Sequence, residues 1–238
     1  MNMSTADLIL NFANDREKFT LSELAGYVRS RESISDSGLL WHIKRLIKRN
    51  HLSRISRGTY GKLSKNEFVP ILTCELKDMY NEIKSVFPLV DVAVYSGNEI
   101  NSLQHHLAAN NAIYVEVSKD VTEAVFHYLA DKKFKVYHKP SAELMSDYVD
   151  LSEKIVIVKA LTSESPVVTV DGVKMPSLEK LLVDVNCDPD FYYLQGGETF
   201  YIMENAKSIY SINIPKMLRY ASRRGHRETM QKILNYND

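Results

Sequence analysis

The sequence is poor in most features that announce a specialised chemistry. Its two cysteines, Cys74 and Cys187, lie far apart and belong to no CxxC or Cys/His pattern. Neither a disulfide framework nor a zinc–cysteine centre is expected, and both read as buried, reduced thiols. Seven prolines, nine glycines and no tract of one or two residue types exclude the fibrous and low-complexity classes. No window approaches the roughly 18 apolar residues of a membrane span, and the opening MNMSTADLILNFANDREKF has no basic flank before a long apolar run. A cytoplasmic protein is expected. No repeat of about 20–50 residues appears, which excludes a solenoid.

Catalytic patterns are equally scarce. The histidine pair His105-His106, with His127 and His138, forms no HxxxH or HExxH. Adjacent residues on a helix point about 100° apart, so His105 and His106 are not expected to share an ion, and no metal is expected. Pro189-Asp190 is not followed by E-x-K on a strand, and Glu116 and Lys119 have the wrong spacing for a nuclease. Tyr95-Ser96-Gly97 has the wrong order for the Gly-Ser turn of a nucleotidyltransferase, and no D-x-D pair follows it within reach. Gly196-Gly197 is too isolated for a phosphate loop, and no G-x-S-x-G elbow occurs. The reading is of a non-enzyme without a cofactor.

What is present is an uneven distribution of charge. The 238 residues are 45% hydrophobic, enough for a sizeable core, and carry 30 basic against 30 acidic side chains. Residues 1–63 hold 11 Lys+Arg against 6 Asp+Glu, whereas the remaining 175 hold 19 against 24. Such a shift points to two domains, placed at 1–65 and 66–238.

The first 50 residues read as three helices. Ser4 or Thr5 caps one with the stripe Leu8, Ile9 and Phe12, ending near Asp15; Thr20 and Glu23 form an S/T-x-x-E capping box for LSELAGYVRS. A third runs from Ser35 or Asp36 to Arg49 or Asn50. Its inward face is Leu39, Leu40, Ile43, Leu46 and Ile47, and Trp41, the only tryptophan, falls on the opposite side among Ser37, Lys44, Arg45 and Lys48. HLSRISRGTYGKL then reads as a β-hairpin turning at Arg57-Gly58. Three helices followed by a basic hairpin make a winged helix-turn-helix.

From Trp41 to Lys62 there are seven basic side chains, two histidines and no carboxylate. Lys44/Lys48 and Arg45/Arg49 are like-charge pairs at i,i+4, whose repulsion an anionic partner would relieve; duplex DNA is the natural one. On this reading Ser35, Ser37, Trp41, His42 and Arg45 face base edges in the major groove, while Arg54, Arg57 and Thr59 on the wing touch backbone or minor groove. Lys44, Lys48 and Arg49 position the protein on phosphates. Trp41 should therefore be exposed in the free protein. A candidate second basic surface lies near the C-terminus, with Arg219, Arg223, Arg224 and Arg227 on two helices broken at Gly225.

Beyond residue 66 the pattern alternates. Pro70 is expected to open a helix through about Phe87; VDVAVYS, AIYVEVS, FKVYH, KIVIVKAL and PVVTV read as strands; NEINSLQHHL, VTEAVFHYLA and SLEKLLVDVNC read as helices. This is an α/β (α+β) domain with a helical C-terminus.

The order ISRGTYGKL, VYSGNEINSL, IYVEVSKD, VKMPSLEKLLVDV resembles that of the AbiEi-type antitoxins of bacterial type IV toxin–antitoxin, or abortive-infection, systems. The resemblance implies an N-terminal domain that binds operator DNA and represses its own operon. It implies a larger domain resembling a non-catalytic nucleotidyltransferase fold, and a functional partner in a nucleotidyltransferase-like toxin without a stable complex. Trp41, Lys44, Arg45, Lys48, Arg54 and Arg57 match its recognition helix and wing. Such a repressor would act as a monomer or as a dimer on inverted repeats. Two alternatives stand beside it: a nucleotide- or nucleic-acid-processing enzyme targeted by a winged helix, and a protein-binding module.

Overall fold

The structure, a computed structural model, describes residues 4–48, 51–62, 66–106, 108–194 and 196–234. The chain divides into two compact units, Met1–Lys65 and Asn66–Asp238. It is a mixed α/β protein with a helical C-terminal region.

The first unit begins with α1 (Thr5–Asn14), opened by a reciprocal cap between Ser4 and Asp7. The two-residue strand β1 (Phe19–Thr20), which no pattern in the sequence signals, leads into α2 (Leu21–Arg29), where Thr20 and Glu23 form the expected capping box. Before α3 (Asp36–Lys48), the Ser35 hydroxyl accepts from the Gly38 N–H at 3.1 Å, satisfying an otherwise unpaired donor. Strands β2 (Leu52–Ser56) and β3 (Thr59–Lys62) form a hairpin, and β1 adds to β3 in a sheet of order β1-β3-β2. The turn Arg57-Gly58 sets Gly58 at φ +78°, a left-handed conformation that glycine adopts without steric cost. One core joins the elements: Leu8, Ile9 and Phe12, Leu24 and Val28, Leu39, Ile43 and Leu46, then Leu52 and Tyr60. Leu40 and Ile47, expected on the inward face of α3, are half-buried.

In the second unit α4 (Cys74–Val86) precedes β4 (Val92–Ser96), β5 (Ile113–Val117), α5 (Thr122–Asp131), β6 (Val136–His138), α6 (Ala142–Tyr148) and β7 (Val156–Ala160). The sheet runs β4-β5-β7-β6, with β4 antiparallel to β5 and the β5–β7 and β7–β6 pairs parallel. A separate hairpin, β8 (Val167–Val170) and β9 (Val173–Pro176), leads to α7 (Leu178–Cys187), α8 (Gly197–Ile209), α9 (Ile214–Arg223) and α10 (Arg227–Leu234). Strand alternation gives the sheet two buried faces. Val92, Val94, Val115, Val117, Val156 and Val158 pack towards α4 and α5. Tyr95, Tyr114 and Ile157 belong to the larger cluster that includes α7, α8, α9 and α10.

Pro70 does not open α4: the helix starts at Cys74, because the Thr73 hydroxyl caps it by accepting from the Leu76 N–H at 3.3 Å. NEINSL forms 3₁₀ turns over Gly97–Leu103 and not an α-helix. Its asparagines bond locally, Asn101 to Asn98 and Asn98 to Asn111, both at 2.9 Å, competing with regular helix.

Glu99 ties the 3₁₀ segment to the chain leading into α4, accepting from the Ile71 N–H at 2.8 Å. Burial raises its carboxyl from 4.5 to about 7, against that hydrogen bond, which favours the ionised form. Between these two values the unfolded chain releases the proton and the folded chain keeps it, so this group's contribution to stability falls as pH rises from about 4.5 to 7 and is level above. Glu99→Gln keeps the acceptor for Ile71 without the charge. It should raise the urea midpoint at about pH 8 and change it little at about pH 5. Parallel pH profiles for the two proteins would contradict this.

Candidate nucleic-acid interface

Helix α3 and the β2–β3 hairpin carry the residues singled out for nucleic acid. Amphipathic spacing turns Leu39, Ile43 and Leu46 into the core, which sends Trp41, Lys44, Arg45 and Lys48 outward. Trp41 is 56% exposed, the state expected of it. The Arg45 guanidinium lies over its ring, 5.4 Å from the centroid, and the half-buried His42 ring meets it edge-on at 4.8 Å. An indole, an imidazole and a guanidinium thus share one outer face, combining a stacking surface with donors in planar array. Among the described residues, Lys44, Arg45, Lys48, Arg54 and Arg57 have no carboxylate partner, whereas Asp36 at the start of α3 pairs with Arg29. A positive face without compensation is what a polyanion would occupy.

The remaining candidates are placed less uniformly. Ser35 is exposed but its hydroxyl is committed to the helix cap and lies 3.1 Å from that of Ser37. Arg54 Nε donates to the Ser56 carbonyl at 3.3 Å, directing this side chain along the hairpin; Arg57 is exposed at the turn and Thr59 is half-buried. Gly61 lets this strand pass close to the chain before it: a Cβ there would stand 2.6 Å from the Glu17 carbonyl oxygen. Arg49 lies outside the described residues.

The second basic surface is only partly assembled. Arg219 and Arg227 are exposed, and Arg223 pairs with Glu164. Arg224 turns inward to Asp184 and Asp188, a correction to its expected place on the surface. Cys74 is exposed and not buried, since it opens α4 ahead of the first buried position, Leu76; Cys187 is half-buried. His105 and His106 are not on a helix. Gln104 is extended, and the two rings come within hydrogen-bonding distance of each other.

The largest cluster of charge was not found from the sequence. Glu116 on β5 and Lys159 on β7 sit opposite one another at the ends of the two parallel strands. Around them α7 supplies Lys180 and Asp184, the following turns Asp188 and Asp190, and the end of α9 Arg224. Lys180 donates to Glu116 at 2.7 Å and to Asp184; Lys159 donates to Asp188 and Asp190, both at 2.9 Å. Tyr220 donates to Asp184 at 2.8 Å. Burial works against the charge on both lysines, yet the surrounding carboxylates hold their ammonium groups charged above the ordinary lysine range. Asp188 is buried, but Lys159 and Arg224 keep its carboxyl below the usual range; burial shifts Asp184 the other way. The three cations stand between the four carboxylates, so all but one of the charges in the cluster are matched. Its signal in the sequence was the presence of Lys180 and Asp184 at i,i+4 in SLEKLLVDV, and of Glu116 and Lys159 in otherwise apolar strands.

Lys180→Met would leave Glu116 and Asp184 buried without their shared cation. It should cost about 3–5 kcal/mol in denaturant unfolding, whereas Lys135→Met, at an exposed pair with Glu153, should leave the midpoint nearly unchanged. Equal effects of the two substitutions would show that the buried cluster adds nothing.

No helix among the described residues is long and apolar enough to cross a membrane. A comparison with curated proteins finds no match. A family model described as a family of unknown function (DUF6577) matches residues 38–238, from within α3 through the whole second unit. With most of its length matched, the chain belongs to this family.

Proposed function

We propose that the chain is a DNA-binding transcriptional autoregulator and antitoxin of a toxin–antitoxin operon. The observation that carries the DNA-binding part is the outer face of α3, where Trp41, Lys44, Arg45 and Lys48 are exposed and the cations lack acidic partners among the described residues. In this reading the first unit is a winged helix-turn-helix: α3 enters the major groove, where Arg45 and Trp41 read base edges, and the hairpin lays Arg54 and Arg57 on the backbone. Lys44 and Lys48 flank the helix and hold phosphates. The antitoxin role rests on the resemblance to AbiEi-type antitoxins. The second unit would be the non-catalytic, nucleotidyltransferase-like part, acting against a nucleotidyltransferase-like toxin without a stable complex. The partner is double-stranded operator DNA, bound by a monomer or by a dimer on inverted repeats, with no cofactor.

The two classes of contact separate by experiment. Arg45→Ala should cost roughly 1–3 kcal/mol on the operator and blur its sequence preference. Lys48→Ala should weaken binding to all duplexes alike and lower the slope of log K against log salt by about one. The measurement is a fluorescence-anisotropy titration with the DNA upstream of the protein's own gene and with scrambled duplex, at several salt concentrations. If both variants bind that DNA as the unaltered chain does at low salt, α3 is not the recognition helix.

A further inference from the structure

His105, His106 and Glu198 form a cluster that the DNA-binding reading does not use. The 3₁₀ segment ends at Leu103, Gln104 is extended, and the chain leaves helical geometry before the two histidines. Their rings stand at 86° with centroids 4.4 Å apart, and His105 Nδ1 is 3.1 Å from His106 Nε2. Two nitrogens each about 2.0–2.1 Å from a tetrahedral Zn²⁺ stand about 3.3 Å apart, so the pair already has the spacing of two ligands on one ion.

Helix α8 supplies the third group and holds the pair in place. Glu198, in its first turn, accepts from the backbone N–H of His105 at 2.5 Å and of His106 at 3.2 Å through Oε1. Oε2 has no hydrogen bond among the described residues. Tyr201, one turn on, stacks on His105 with centroids 5.3 Å apart, and Asn205 donates to the Leu103 carbonyl at 2.8 Å. One face of α8 thus fixes the backbone and one ring of the histidine segment, the role that supporting contacts play around metal ligands. Ligand atoms of the three side chains lie within 4.8 Å of one another.

We infer that His105, His106 and Glu198 bind one divalent ion of borderline softness, of the Zn²⁺ class, with two imidazoles, one carboxylate and a fourth position open to solvent. Both histidines are exposed, so the ion has access from solvent, and binding ties the 3₁₀ segment to α8. The inference is independent of the DNA-binding reading.

The test uses the full chain stripped of metal with a chelator and titrated with Co²⁺, followed by its visible absorption, then displaced by Zn²⁺. One ion per chain is expected, together with a Zn²⁺-dependent rise in the thermal midpoint. His105→Gln, His106→Gln and Glu198→Gln should each weaken binding by about tenfold or more and reduce that rise. His127→Gln, at an exposed histidine near Glu123, is the control and should bind as the unaltered chain does. Absence of one-to-one binding, or affinity retained in any of the three variants, overturns the site. The thermal midpoints of the metal-free variants show whether each is folded, and a double variant His105→Gln/His106→Gln that still binds the ion also overturns it.

Discussion

The second unit depends on one physical constraint: charges largely removed from water have to be paired across the sheet, α7 and α9. Lys159 projects from the sheet, Lys180 from α7 and Arg224 from the end of α9, and each meets carboxylates from another element. An ammonium buried alone would lose several kcal/mol of hydration, so the lysines are tolerable only while α7, α9 and the sheet keep their present register. The interaction therefore links elements far apart in sequence. Hydrophobic burial supplies the driving force for the same interface, through Tyr114, Ile157, Leu181 and Phe191, but it is non-directional. The hydrogen-bonded charges add direction, because a slip of α7 by one residue would part Lys180 from Glu116.

The two units treat charge in opposite ways. In the second, cations and carboxylates converge in the interior, where low polarisability strengthens both attraction and penalty. In the first, the outer face of α3 gathers the like charges Lys44 and Lys48 at i,i+4 without a carboxylate partner among the described residues, and leaves the aromatic ring of Trp41 beside them. The Leu39, Ile43 and Leu46 stripe pays for this face by anchoring the helix to Leu8, Phe12 and Leu24. A core independent of the exposed charges lets such a surface serve a ligand.

Legibility followed the range of the interactions. The capping box at Thr20 and Glu23, the stripe of α3 and the turn at Gly58 are local, so a few adjacent residues disclosed them. Strands β4 to β8 of the second unit are visible as short runs of valine, isoleucine and tyrosine, whereas β9 has no such run and shows only in its pairing with β8. Strand β1, two residues long, exists only because β3 comes back to pair with it, and no window of sequence contains both. The charge cluster failed to appear for the same reason: Glu116, Lys159, Lys180 and Arg224 are separated by tens of residues and follow no motif spacing. The histidine pair departs for a local reason: NEINSLQHHL has the pattern of a helix, but the asparagine-rich 3₁₀ segment has already ended before His105.

The inward turn of Arg224 bears on where a polyanion could bind. Residues 64–238 hold 19 basic and 24 acidic side chains. The cluster takes up three cations and four carboxylates, which leaves 16 against 20 outside it. Arg223 is also matched, by Glu164. Residues 64–238 thus keep four of their five excess acids outside the cluster, which gives a phosphate backbone no general attraction there. In the proposed complex the electrostatic contribution falls on α3 and the wing, and a zero net charge is compatible with local attraction, because screening at physiological salt confines each charge to about 8 Å.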